Sequence, residues 1–294
     1  MRPVSLFISQ LFNGLQTGSI FALVALGYSM VYGIIMLLNF AHGDIIMVGA
    51  YTAFYAITTF HLHPVFSVVL AVAVSTLLGV AIEKIAYTPL RSAPRLSLLI
   101  TAIGISFLLE NGAQLLFGAD TKSMDVIVPG NVSIFGTTVS YAAILTILVS
   151  LAAMAALTFL VQKTRLGKAM RAVSEDKDAA ELMGISVNKT ISVTFAIGSA
   201  LAAVAGIFYG STYGFIGPYT GSMPGIKAFV AAVFGGIGSI PGAMIGGLAL
   251  GIIENLSKAY ISTELSDAIV FGVLIVVLLL KPTGLLGKKI KEKV

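Results

Sequence analysis

The widest range of chemistry sits in one short stretch, Asn39-Phe40-Ala41-His42-Gly43-Asp44, within a long run that is otherwise nearly all apolar. An imidazole two positions from a carboxylate could move a proton, ligate a metal or hold a polar solute. A metal site lacks its other ligands: the chain has three histidines, no cysteine and no His-Glu-x-x-His pattern, so thiolate sites and disulfides are also excluded. Ala41-His42-Gly43-Asp44 is one residue away from the Gly-x-Gly-Asp of intramembrane aspartyl proteases. That chemistry needs two carboxylates sharing a proton, and a second aspartate in a Tyr-Asp context is absent. A rhomboid-type Gly-x-Ser-Gly is absent too. Two readings stay open. Either Asp44 caps a helix beginning at Ile45 while His42 faces the headgroups, or the break lines a translocation route. In the second case Asn39 and His42 offer hydrogen bonds and Gly43 allows close backbone approach.

The elements that must position these groups are membrane helices. Of 294 residues 57% are hydrophobic and 11% charged, against about 25% charged in a soluble domain. Mean hydropathy is +0.99. The expected fold is an all-α polytopic membrane protein, a single transmembrane domain over 1–294, with about eight transmembrane helices and ten as the alternative. Apolar spans of membrane length fall at 66–85, 97–117, 141–161, 191–213, 242–256 with its flanks, and 268–280. The run 7–60 is too long for one helix and is interrupted at Gly27, Gly33 and residues 39–44. Residues 224–242 hold a short apolar piece followed by Gly235, Gly236, Gly238 and Pro241-Gly242. Broken backbone at membrane depth is tolerated only where protein or a wet cavity satisfies it, so both regions read as discontinuous or re-entrant segments beside a pathway. A loose echo links Phe40–Tyr51 with Phe234–Gly247, each a break leading into a helix rich in small residues. The pathway candidates are therefore Asn39, His42, Gly43, Asp44, Gly235, Gly236 and Gly238.

Basic residues orient the chain. Arg91 and Arg95 lie between two spans. Lys163, Arg165, Lys168, Arg171, Lys177 and Lys189 occupy 163–189, and Lys281, Lys288, Lys289, Lys291 and Lys293 occupy the tail 281–294. All three segments are expected on the cytoplasmic side. Residues 61–64 and 119–140 fall outside. Placing Arg2 inside as well gives an even number of crossings. No cleavable leader is expected, since the apolar run after Arg2 outlasts a signal h-region and lacks a small-x-small site. The pI near 9.3 is thus a topological signal, not a nucleic-acid footprint.

Four further features can be weighed. Glu110 and Glu254 either bond locally near the outer interface or form a gate or helix–helix hydrogen bond. Lys227 either snorkels or pairs with an acid. Phe208, Tyr209, Tyr213, Phe215 and Tyr219 fit an outer aromatic belt. In 164–190, Ser174 could cap a short helix with Glu175 and Asp176 at its amino end and Gly184 as its stop, leaving an apolar strip of Ala179, Leu182 and Met183 for the membrane or a partner's groove.

That loop carries a resemblance. Asp178-Ala179-Ala180-x-x-x-Gly184 has the Glu-Ala-Ala-x-x-x-Gly spacing of the coupling loop of ABC-importer permeases, with aspartate for glutamate and without the Ile-x-Leu-Pro ending. Taken with GLQTGSIFALVALGYSMVYGIIMLLNFAHGDIIMVGAY near the start and ALAAVAGIFYG and AFVAAVFGGIGSIPGAMIGGLALGIIE near the end, the chain resembles LivH-type permeases of branched-chain amino acid ABC importers along essentially its whole length. The resemblance implies an inner-membrane location, a LivM-like second permease, two cytoplasmic ATPases of LivG and LivF type that bind ATP-Mg, and an extracytoplasmic substrate-binding protein. It implies Asp178, Ala179, Ala180, Leu182, Met183 and Gly184 as the ATPase contact. Relatives of the same kind also move urea, short amides or other amino acids. The residues agree independently on one point: without a G-x-x-x-x-G-K-[ST] loop the chain has no phosphate cradle of its own, and no cofactor is expected on it. A secondary transporter, with Glu110 or Asp44 as its ion site, is the rival class.

Overall fold

The computed structural model describes residues 3–36, 39–91, 93–126, 128–134 and 137–287. Arg2 and the tail lysines from Lys288 onward therefore lie outside the described residues. The architecture is helical. In order come α1 (Pro3–Ile35), α2 (His42–Thr58), α3 (Pro64–Ile82), α4 (Arg95–Phe117), α5 (Tyr141–Lys163), α6 (Arg165–Glu175), α7 (Lys177–Leu182), α8 (Val187–Tyr213), α9 (Ser222–Gly235), α10 (Ile240–Tyr260) and α11 (Ser266–Leu280). Among the described residues six helices are long and apolar enough to cross a membrane, and α9 and α11 are shorter apolar helices. These eight match the expected number, and α2, 17 residues that begin inside the bundle, adds a partial crossing to them. Two small antiparallel ribbons, β1 (Lys122–Ser123) with β4 (Phe215–Ile216) and β2 (Asn131–Ile134) with β3 (Thr137–Ser140), add four short strands.

Burial separates the helices into a core and a lipid-facing shell. α1 is enclosed over most of its length, with Ile20, Leu23 and Leu26 fully buried, whereas α3, α4 and α5 expose leucines, isoleucines and phenylalanines such as Leu77, Phe107 and Phe159. Helices apolar all round suit a bilayer, where the shell needs no polar face. Small residues bring the core helices together. α1 runs antiparallel to α10, with Gly14 against Ile252 and Gly18 against Leu248; a methyl built on Gly251 would lie 2.2 Å from the Gly18 Cα. Only a hydrogen at these positions lets the two backbones touch, and in lipid close packing is the main force joining helices.

At 33 residues α1 is about 50 Å long, more than the hydrocarbon core of about 30 Å. Its two ends identify the two faces of the bundle. Tyr32, Ile34 and Met36 share a cavity with Arg91, Ala93 and Val173–Lys177, so this end of α1 lies beside the basic loops. Phe7 shares a cleft with Tyr260 and Ile261, and Gln16 donates to Thr212 Oγ1 at 2.8 Å near the carboxyl end of α8. The opposite termini also part: Gly238 meets Gly33, and Gly287 meets Gly236, at the basic end. The two ends of the described chain thus lie on opposite faces. This corrects the expectation of an even number of crossings, which rested on one arginine at the amino terminus.

The first break follows Met36, a non-glycine residue at φ 51°. The second is a turn at 236–239, with Gly236 at φ +108° and Gly238 at φ +86°. Glycine carries this left-handed backbone at little cost. Ser239 restarts the chain by accepting from the Gly242 N–H at 3.2 Å, and Pro241 sits in the first turn of α10, where its missing N–H costs nothing. Residues after α11 fold back: Leu285 and Leu286 donate to the carbonyls of Phe234 and Gly235, which the end of α9 would otherwise leave unpaired.

Candidate functional site

α2 starts at His42, inside the bundle, where that side chain lies between Gly27 of α1 and Gly198 of α8. At 17 residues it rises about 25 Å to Thr58, where Tyr51 and Tyr55 meet Phe117 at the end of α4. α9 starts against the same point and runs to the basic end. A methyl on Gly43 would come within 2.9 Å of the Gly221 carbonyl oxygen, and one on Gly225 within 2.7 Å of the Gly43 Cα. Two incomplete helices therefore meet by their amino ends at Gly43, Gly221 and Gly225 and depart in opposite directions. Each amino end carries the positive end of its helix dipole.

The residues of the first break divide by role. Asn39 is buried, and its Oδ1 accepts from the Tyr87 hydroxyl at 2.8 Å, tying the break to the turn that follows α3. His42 is buried and packs edge-on against Tyr28 at 4.8 Å between centroids. Gly43 and Asp44 line a cavity of about 230 Å³ whose wall includes Tyr28, Ser106, Glu110 and Ser222. Asp44 does not cap: Ala41 occupies the cap position without a side-chain bond, and Asp44 is in the first turn, where the dipole favours an acid. The helix begins earlier than expected because Ala41 already has helical backbone.

Gly235, Gly236 and Gly238 lie elsewhere, at the far end of α9 against Gly242, Gly287 and Gly33. The partner of the first break is the Gly221–Gly225 end of the short helix. Composition alone could not distinguish the two ends of one glycine-rich stretch.

Several of the intramembrane charged side chains have partners on other helices. Glu110 is 8% exposed and accepts from the Ser222 hydroxyl, so it joins α4 to α9 and does not reach the outer interface. Glu254 is buried and takes Lys227 at 2.9 Å and Lys258 at 2.5 Å, while Lys227 also reaches Asp267 at 2.6 Å. Of the two readings for Lys227, pairing holds. Sequence reasoning passed over Glu83. It is fully buried in a π-helical turn at Glu83–Tyr87 and accepts from Arg91, from Thr88 Oγ1 at 2.8 Å and from Ser192 Oγ at 2.6 Å. An acid inside an otherwise apolar span was the available signal. The aromatic group lies at the carboxyl end of α8, where Tyr209 and Tyr213 are 4.4 Å apart and Phe215 and Tyr219 are exposed.

At the basic end, α6 is capped by Thr164, whose Oγ1 accepts from the Gly167 N–H, and α7 by Asp176, whose Oδ1 accepts from Ala179 at 3.0 Å. The expected cap Ser174 instead donates back to the Arg171 carbonyl within α6, which runs through Glu175. Gly184, at φ +80°, ends α7: Ile185 donates to Ala180 and Gly184 to Glu181, the paired bonds of a left-handed stop. Ala180 is buried. Asp178, Ala179 and Gly184 are exposed, and Leu182 and Met183 are 89% and 82% exposed. Two large apolar side chains thus stand free on the face that carries the basic residues. Among the described residues no group of three or more His, Cys, Asp or Glu side chains could hold a metal ion.

Comparison with known proteins agrees with this architecture. Residues 10–278 match the family described as "Branched-chain amino acid transport system / permease component". The chain is 46% identical to the high-affinity branched-chain amino acid transport system permease protein BraD of Pseudomonas aeruginosa, over all of both chains. It is 45% identical to LivH of Escherichia coli K12 over 98% of each chain, and 30% identical to a probable LivH of Methanocaldococcus jannaschii over 93% of this chain and 91% of that one. No solved structure matches.

Proposed function

The chain belongs to the family of permease components of branched-chain amino acid transport systems, and we propose that it is the LivH-type half of an ABC importer for those amino acids. It is a multi-pass membrane protein related to bacterial inner-membrane permeases. In this reading a LivM-like permease packs beside it, LivG- and LivF-type ATPases hold ATP-Mg below it, and a binding protein delivers substrate from outside. The basic loops and the carboxyl tail then face the cytoplasm.

The observation that carries the reading is α7. Its exposed Leu182 and Met183 have no use on an isolated chain in water, and a partner groove would bury them. The helix is joined through α6 to α5 and through the Gly184 stop to α8. α8 in turn holds Gly198 against His42 at the first break. A push on α7 thereby reaches the point where α2 and α9 meet, which is the linkage alternating access requires. ATP chemistry stays on the partners.

The test is a Leu182→Glu, Met183→Glu double variant reconstituted with the partner subunits and binding protein. ATP-driven leucine uptake should fall at least tenfold while the two permeases still copurify. Uptake at the unaltered rate would remove α7 as the contact, and sodium- or proton-driven uptake by the isolated chain would overturn the ABC reading.

A further inference from the structure

We propose that the cavity between α4 and the meeting ends of α2 and α9 is a transit subsite for the substrate's α-ammonium group, held by Asp44 and Glu110. The inference rests on the transport reading above and adds the atoms that recognise the cargo.

The site contains two carboxylates and no lysine, arginine or histidine among its lining residues. The nearest intramembrane lysine in sequence, Lys227, is already held by Glu254 and Asp267. Glu110 receives one hydroxyl hydrogen bond from Ser222, and Ser106 sits against the Asp44 carboxylate. One acceptor is left over: Asp44 Oδ2 is buried without a hydrogen-bond partner, on a residue only 2% exposed. Two acids in a shared apolar enclosure repel one another and are stabilised by a cation between them. A primary ammonium brings three donors and one charge, which fits one orphan acceptor and a second acid close by. The opposite requirement of an amino acid is also present. The amino ends of α2 and α9 meet at Gly43 and Gly221, and their dipoles favour the α-carboxylate. Ile103, Phe107 and Ile226 complete the wall and suit an aliphatic side chain. These three are also partly open to the outside of the chain, at 40%, 59% and 43% exposure, so the cavity opens along the weakly packed α4.

The experiment uses the whole complex in proteoliposomes, supplied with leucine-loaded binding protein, with uptake and ATP turnover normalised to the amount of assembled complex. Asp44→Asn and Glu110→Gln should each lower leucine uptake roughly tenfold to a hundredfold, the range for losing a hydrogen bond to a charged group. Leucine moved per ATP should fall with it, and Asp44→Glu should recover part of the loss. Glu110→Gln keeps an acceptor for Ser222, so it decides the matter if Asp44→Asn fails to assemble. Wild-type uptake and stoichiometry in an assembled Glu110→Gln complex would overturn the subsite. Wild-type uptake that depends on sodium, with that dependence lost in the variants, would assign the pair to an inorganic cation and overturn it as well. Failure of the unaltered complex to import leucine is a different result, and would remove the transport reading first.

Discussion

Replacing Lys227 by leucine should destabilise the α9–α10–α11 corner more than any exposed ion pair could. The side chains of Lys227 and Glu254 are 9% and 2% exposed. Removing one partner of a buried pair costs about 3–5 kcal/mol because the other charge is left desolvated. Two features of the cluster act on that figure. Lys258 still touches Glu254 but is 32% exposed and one turn away on the same helix, a geometry good for only about 0.3–0.5 kcal/mol. Asp267 is 40% exposed, so its lost contact with Lys227 is largely screened. The expected loss is therefore near the lower bound, about 3 kcal/mol, which corresponds to roughly 6–12 °C in melting temperature. The double variant Lys227→Leu, Glu254→Leu should recover most of the loss, since replacing a whole buried pair by packed apolar groups is often neutral. The assay is the temperature at which purified protein in detergent loses helical circular dichroism, for wild type, both single variants and the double. The chain has no tryptophan, so a fluorescence melt would need a probe. A Lys227→Leu protein that melts with the wild type, or a double variant less stable than either single, would refute the reasoning.

Two other outcomes follow from the geometry. Asn39→Ala removes the acceptor of the buried Tyr87 hydroxyl and should cost about 1–3 kcal/mol, with Asn39→Ala, Tyr87→Phe costing less than Asn39→Ala alone in the same melt. Gly184→Val places a β-branched residue at φ +80° with open space around it, so the penalty is backbone strain of about 1–2 kcal/mol; import should fall while membrane insertion, read by protease accessibility, stays intact.

Much of this arrangement was legible in the sequence because lipid imposes a simple grammar. Apolar runs became helices, and polar residues or glycine within them marked the breaks at His42 and at 236–239, but Gly27 and Gly33, expected to interrupt the first run, lie inside an unbroken α1 where they give room to neighbours. Local chemistry was harder where neighbours compete. Ser174 and Asp176 are both good caps, and α6 chose by running on through Glu175, a matter of how Met170 and Val173 bury against the bundle. Long-range pairing was hidden altogether: nothing in GPYTGSMPG says that Gly221 will touch Gly43, because a glycine that permits contact does not name its partner. The even number of crossings was misread for a related reason. A single arginine was weighed against a packing interaction with α10 that only the folded chain displays. Glu83 escaped notice because its three donors come from Arg91, Thr88 and Ser192, two of them outside its own span.

The glycine seam between α1 and α10 has a consequence for how the protein is made. Gly18 leaves the ribosome roughly 230 residues before Leu248, an interval of about 10–50 s at 5–20 residues per second. Throughout that time the first helix stands in lipid with the notched face that should meet α10 uncovered, and any other small-residue helix, including one from a neighbouring nascent permease, can dock there. Correct assembly is thus a race between translation and mispairing, and slowing synthesis in the middle of the chain should harm the yield of folded protein even though no residue has changed.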